Sequence, residues 1–202
     1  MTWVDYLLWY GSIFSPLLPL GFSWKKLLPY QLIIVLFVSA SFITDISTHY
    51  WIPGRNYWAL HVYGFIEAAL LLYFYSRVLN RIKIWIYVVT IFYLAFYLIN
   101  SFLWERNEFN TYARTVEAVI MIILAILLFY KFYQDEEDIF IDRSPLFWMN
   151  IAILTYFSGA FFSFILSHEI LLGTMMSWRL HNLSNILKNI LLAIALWKVP
   201  RG

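Results

Sequence analysis

Apolar residues run in seven long stretches along the chain, separated by short polar connections: Val4–Phe22, Leu27–Ser47, Tyr57–Ser76, Ile84–Trp104, Thr111–Tyr133, Leu146–Ser167 and Trp178–Trp197. A helix needs about 20 mostly apolar residues to cross the hydrocarbon core of a bilayer. The pattern therefore predicts an all-α integral membrane protein, a bundle of seven transmembrane helices forming one domain over residues 1–202. The first stretch is the least regular, because it holds Asp5, Gly11, Pro16 and Pro19. Proline removes a helix hydrogen bond, so this segment is expected to kink or to lie partly in the interface. Six spans is the alternative count.

The polar residues within these stretches are not scattered. On the last one, His181, Ser184, Asn185, Lys188 and Asn189 fall at i, i+3, i+4, i+7 and i+8, a stripe along one helix face. The second carries Ser41, Thr44, Asp45 and Thr48, with His49 beyond. The third has Tyr63 and Glu67 four residues apart, with His61 offset around the helix. Tyr93, Tyr97 and Asn100 share a face of the fourth. On the fifth, Arg114 and Glu117 are three apart and close enough to pair. Thr155, Ser158, Gly159 and Ser163 line the sixth, a pattern expected of close helix packing.

Composition strengthens the membrane assignment. Of 202 residues, 62% are hydrophobic, 21% aromatic and only 13% charged, with mean hydropathy +0.71. Soluble domains carry about 25% charged residues. The absence of cysteine excludes disulfides, thiolate metal sites and a cysteine nucleophile. The formal charge of +2 has no basic run with interleaved aromatics outside the apolar segments, so nucleic acid is not an expected partner. The opening MTWVDYLLWYGSIF lacks a positive n-region and carries Asp5, so it does not read as a cleavable signal peptide.

Charge does fix an expected orientation, because short cytoplasmic loops are enriched in Lys and Arg. One side holds nine such residues, Lys25, Lys26, Arg77, Arg81, Lys83, Lys131, Arg143, Lys198 and Arg201. The other holds four, Arg55, Arg106, Arg114 and Arg179, leaving Lys188 within the last span. The N-terminus is expected outside and the C-terminus in the cytoplasm, in the plasma (inner) membrane. Most intramembrane polar residues then fall in the outer half. Glu67 and Lys188 sit at matching depth, about 15 Å from the outer ends at 1.5 Å per residue, and form the expected buried ion pair. Asp45, His49, Arg114, His168, Glu169 and Arg179 fall near the rim, where hydration or pairing is expected.

Charged side chains at mid-bilayer are costly and mark functional sites or pairing networks. The candidate ligand-binding or buried polar cluster is Glu67, His181, Asn185 and Lys188, then His61, Tyr63, Asn100 and Glu117. Four functions could use it. Seven spans, an outward N-terminus and Lys188 opposite Glu67 resemble the plan of the microbial rhodopsins, which would imply retinal on Lys188 with Glu67 as counter-ion. Against that plan, Ser184 stands where an aspartate is expected, and HVYGFIEAALL lacks that family's arginine and its carboxylate–tryptophan pair. His61, His181 and Asp45 could hold zinc, with Glu67 as general base for lipid hydrolysis. That set resembles the seven-helix alkaline ceramidase and progestin/adiponectin-receptor superfamily, although Asn185 stands in place of the second histidine of its last helix. A small transporter could use Glu67 as its titrating group, but no internal repeat supports it. The reading placed first is a membrane-embedded module that binds or senses a small or lipid-like molecule in an outward-facing polar cavity. Metal-dependent hydrolysis is its main alternative.

Overall fold

In lipid no water is available to backbone amides, so a chain this apolar must satisfy them within its own helices. The computed structural model does so: 89% of it is helical, with no strand among the described residues. It describes residues 2–24, 27–51, 57–106, 108–134, 141–169 and 173–199. The elements are α1 (Trp3–Phe14), α2 (Leu17–Leu20), α3 (Pro29–Ile46), α4 (Tyr57–Val78), α5 (Lys83–Ile99), α6 (Thr111–Gln134), α7 (Pro145–Glu169) and α8 (Gly173–Trp197). Wide π-type turns extend α3 through Ser47–Trp51 and α5 through Asn100–Trp104.

The boundaries follow local chemistry. Pro29 and Pro145 open α3 and α7, positions where the missing N–H is not needed. The irregular first segment breaks where expected. Helix α1 stops at Phe14, the Ser15 amide still reaches Gly11 O at 2.9 Å, and Pro16 then interrupts the ladder before the single turn of α2.

Five helical stretches are long and apolar enough to cross a membrane among the described residues: Pro29–Tyr50, Tyr57–Val78, Asn80–Trp104, Thr111–Gln134 and Pro145–Ser163. The chain thus has the character of a membrane protein. Five of the seven expected spans are matched in this way. The α1–α2 segment and α8 are helical but are not among the five, the first for its break and the last for its polar stripe. Along α5, Ile84, Trp85, Ile91 and Phe92 are 69–77% exposed, an apolar outer face suited to lipid chains.

The chain divides into two compact units, with the boundary inside α6 between Glu117 and Ala118. One comprises Met1–Leu28 and Ala118–Gly202. In it α7 packs along α8, and α1 and α2 lie against α8. Its core is built from Met121, Ala125, Leu128, Met149, Ile153, Phe157, Leu192 and Leu196, all buried. Gly159 lets α7 and α8 touch, since a Cβ there would collide with Ser184 Oγ. One turn further along, Ser163 and Ser177 exchange hydrogen bonds from hydroxyl to carbonyl at 3.1 and 2.8 Å. Small residues on this face therefore serve close packing, as their spacing predicts.

The other unit is Pro29–Glu117. Here α3 packs on α4 and α4 on α5, around Ile34, Phe37, Leu71, Leu72, Phe74 and Tyr75. The α5–α6 hairpin is closed by side chains. Asn100 Nδ2 donates to Glu105 Oε2 (2.6 Å) and to Asn110 Oδ1, while Asn110 Nδ2 donates to Ser101 Oγ (2.7 Å). Glu105 also accepts the Tyr112 amide at 3.2 Å, one of the free N–H groups at the start of α6. The hairpin fixes where the first turns of α6 stand beside α5.

Candidate functional site

Within the Pro29–Glu117 unit, α4, α5 and the start of α6 bring together Glu67, Arg114 and Glu117. The two carboxylates are fully buried and Arg114 is 6% exposed. Arg114 Nη1 meets Glu67 Oε2 and lies 2.7 Å from Glu117 Oε2, so one guanidinium nitrogen serves two carboxylates. Tyr63 Oη donates to the other Glu67 oxygen at 3.2 Å from one helical turn away, as the i,i+4 spacing predicts. Tyr63 is half-buried and forms the edge of the group. The second oxygen of Glu117, Oε1, is buried and has no hydrogen-bond partner.

Close helix contact makes the arrangement possible. Gly64 lies between Glu67 and His61 on α4, and a Cβ on it would strike Tyr97 Oη and approach Arg114 Nη1 to 3.3 Å. The bare backbone lets Tyr97 Oη donate to His61 O at 3.0 Å. Tyr93 Oη donates to Ala113 O at 3.1 Å, tying α5 to the turn of α6 that carries Arg114. The two rings pack edge to face at 6.1 Å. His61 Nε2 is 2.9 Å from Glu108 O, and its Nδ1 is buried without a hydrogen-bond partner.

Several expected site residues meet here: Glu67, Tyr63, Glu117 and His61, with Asn100 in the hairpin that positions α6. The sequence places Arg114 near the rim, hydrated or paired. It is buried instead, because Tyr93, Tyr97 and the closed hairpin cover the first turns of α6. The predicted Arg114–Glu117 pair forms, but Glu67 is a second partner of the same arginine. That interaction crosses helices, and no spacing within one segment announces it. Asp45 lies half-buried at the end of α3, where Thr48 Oγ1 bonds the carbonyls of Thr44 (2.9 Å) and Asp45 (3.2 Å).

His181, Asn185 and Lys188 belong to the other unit. Asn185 Nδ2 donates to Ser12 Oγ at 2.8 Å and Asn189 Nδ2 to Ser15 Oγ at 2.7 Å, so this part of the stripe fastens the first segment to α8. Arg179 Nε donates to Asp5 Oδ1 at 2.7 Å, the rim pairing expected of it, and Asp5 Oδ2 accepts the Thr2 amide at 2.6 Å. Lys188 is fully buried, with Nζ 4.5 Å from the centre of the Tyr156 ring, and His181 lies 6.0 Å from the same ring. Of the expected Glu67–Lys188 pair, Glu67 belongs to the Pro29–Glu117 unit, where Arg114 faces it, and Lys188 to the other, where the Tyr156 ring faces it.

Among the described residues no three His, Asp or Glu side chains gather into a group that could hold a metal ion. Of the expected zinc set, Asp45 and His61 belong to the Pro29–Glu117 unit and His181 to the other. The side chains of His168 and Glu169 lie outside the described residues, as do Lys25, Lys26, Arg55 and Arg201. No protein-family model matches the chain, and comparison with curated proteins and with solved structures finds no match.

Proposed function

We propose that the chain is a seven-span protein of the plasma membrane that binds or senses a small or lipid-like molecule. Its N-terminus lies outside, its C-terminus lies in the cytoplasm, and the binding site is a polar cavity opening toward the outer face. Glu67, Arg114 and Glu117 form the polar heart of that site, with Tyr63 at its edge. His61 and Asn100 hold the surrounding helices in place.

One observation carries the reading: two buried carboxylates share one buried guanidinium within apolar helices. A single pair would suffice to glue helices together, and interhelical hydrogen bonds of neutral side chains do so at lower desolvation cost. A third charge adds cost without adding cohesion, which is the mark of a functional group in a bilayer. Hydrolysis is the weaker reading, since no group of three His, Asp or Glu able to hold a metal ion is found among the described residues.

Mass spectrometry of what copurifies with the chain in lipid nanodiscs tests the proposal. A small molecule or lipid retained by the native chain and lost from Glu67→Gln and Tyr63→Phe would support it. An identical set from all three proteins would sink it.

A further inference from the structure

We infer that the turn joining α4 to α5 binds the phosphate of an anionic phospholipid, whose acyl chains lie along the exposed face of α5. This site is separate from the buried group at Glu67 and independent of its role. The cations come together because the turn is short. Helix α4 ends at Val78, the Ile82 amide reaches Leu79 O at 3.2 Å, and α5 starts at Lys83. Arg77, Arg81 and Lys83 are therefore held on one tight bend. Tyr87 joins them one helical turn further on, with Lys83 Nζ 5.5 Å from the centre of its ring. The Ser76 and Lys83 side chains both reach the Tyr87 hydroxyl, and Arg77 lies close enough to act on it electrostatically.

Nothing in the turn balances its charge. No acidic residue occurs between Glu67 and Glu105. Arg77 and Arg81 are exposed, and neither they nor Lys83 form an ion pair among the described residues. Lys83 stands in the first turn of α5, which has neither an acid nor a capping side chain. The positive end of the helix dipole thus adds to the cluster, where a cation has the wrong sign and a bound anion offsets it. Guanidinium and ammonium groups are natural phosphate binders.

The apolar surface next to the cations favours a lipid over a free anion. Ile84, Val88 and Ile91 fall at i, i+4 and i+7, and Trp85, Val88 and Phe92 at i, i+3 and i+7. All five are exposed, so a continuous apolar stripe begins beside Lys83 and runs along α5 away from the turn. A ligand with a phosphate at one end and hydrocarbon at the other matches both parts. Trp85 and Tyr87 lie at the level of the cations, and their residue types favour the headgroup region. Basic residues at the end of a transmembrane helix attract anionic headgroups, whereas the choline of a zwitterionic lipid would meet charge of its own sign.

Native mass spectrometry of the purified chain, released from maltoside micelles holding equal amounts of phosphatidylglycerol and phosphatidylcholine, provides the test. The native chain should retain phosphatidylglycerol in preference. Each of Arg77→Gln, Arg81→Gln and Lys83→Gln should weaken that binding about fivefold, and the three together about a hundredfold. A second triple variant, Lys131→Gln, Arg143→Gln and Lys198→Gln, removes as much charge elsewhere and should leave the preference in place. Arg77→Lys with Arg81→Lys keeps the charge and should keep the preference too; its loss there would trace the effect to folding and overturn the proposal. Equal retention of the two lipids by the native chain overturns it as well. So does an equal loss in the two triple variants, which would mean attraction by diffuse charge. Displacement of phosphatidylglycerol by excess inorganic phosphate would assign the cations to a soluble anion and overturn the lipid.

Discussion

At the scale of single residues, the shared arginine makes an asymmetric prediction. Removing Arg114 leaves two buried carboxylates without the cation that faces both. Arg114→Met should therefore destabilise by about 3–5 kcal/mol, the usual cost of orphaning a buried charge. Neutralising Glu117 leaves the Glu67–Arg114 contact in place, so Glu117→Gln should change stability by less than about 1 kcal/mol, in either direction. Reversible unfolding in mixed micelles of sodium dodecyl sulfate measures both, and equal losses would refute the shared-charge arrangement. Gly64 gives a second contrast. A methyl group there must displace the Tyr97 hydroxyl, which is the end of a rigid ring already bonded to His61 O. Gly64→Ala should cost about 1–3 kcal/mol from overpacking, whereas Tyr97→Phe in the same background should recover part of the loss. Additive losses in the double variant would show that the contact is not the cause. These residues also show how far the chain could be read. The Arg114–Glu117 and Tyr63–Glu67 pairs follow from spacing on one helix. Glu67–Arg114 does not, because counting residues from the end of each apolar run matched Glu67 in depth to Lys188. Arg114 lies only three residues into its segment, a position that reads as rim. The side-chain hairpin of Asn100, Glu105 and Asn110 covers that turn, and no periodicity encodes it.

At the scale of elements, the polar stripe of α8 is largely a seam. Asn185 and Asn189 reach Ser12 and Ser15, and Arg179 reaches Asp5, so the first and last segments are joined along their length. Hydroxyls and amides that share a partner in this way are worth about 0.6 kcal/mol each in membrane bundles, seldom more than about 1.7. A double-mutant cycle with Ser12→Ala and Asn185→Ala should return a coupling energy of about that size. A value near zero would mean the seam contributes geometry without cohesion. The helices themselves were legible to within a few residues, since long apolar runs dictate them. Two departures have physical causes. Helix α8 begins at Gly173 rather than Trp178, because Ser177 exchanges hydrogen bonds with Ser163 and anchors an extra turn against α7. The fourth segment ends in a wide turn over Asn100–Trp104, in which the Glu105 amide reaches back to Asn100 O at 2.9 Å. Such turns mark places where a side chain must be re-aimed, and here Asn100 is turned to close the hairpin.

At the scale of the whole molecule, the apolar character of five helices stands on length and hydropathy, while the count of seven spans depends on the first and last segments. The seam between them changes how those two should be weighed. A broken α1–α2 segment is a poor span by itself, and α8 with Arg179, Lys188 and its amides is a costly one. Joined, each satisfies polar groups of the other, so the energetic objection to both falls together. They should therefore cross the membrane jointly or fail jointly. The absence of cysteine lets this be tested directly, by placing single cysteines and labelling intact cells with a membrane-impermeant maleimide. Glu108→Cys should label from outside and Asn80→Cys only after permeabilisation, which checks the orientation set by the loop charges. With seven spans, Thr2→Cys labels from outside and Lys198→Cys does not. Reversal of both, with the two inner reporters unchanged, means that neither terminal segment crosses and the count is five. Equal labelling at Thr2 and Lys198 means that only one of them crosses. That last outcome would contradict the seam, because a segment lying in the interface could not keep Ser12 and Ser15 against the asparagines of a spanning α8.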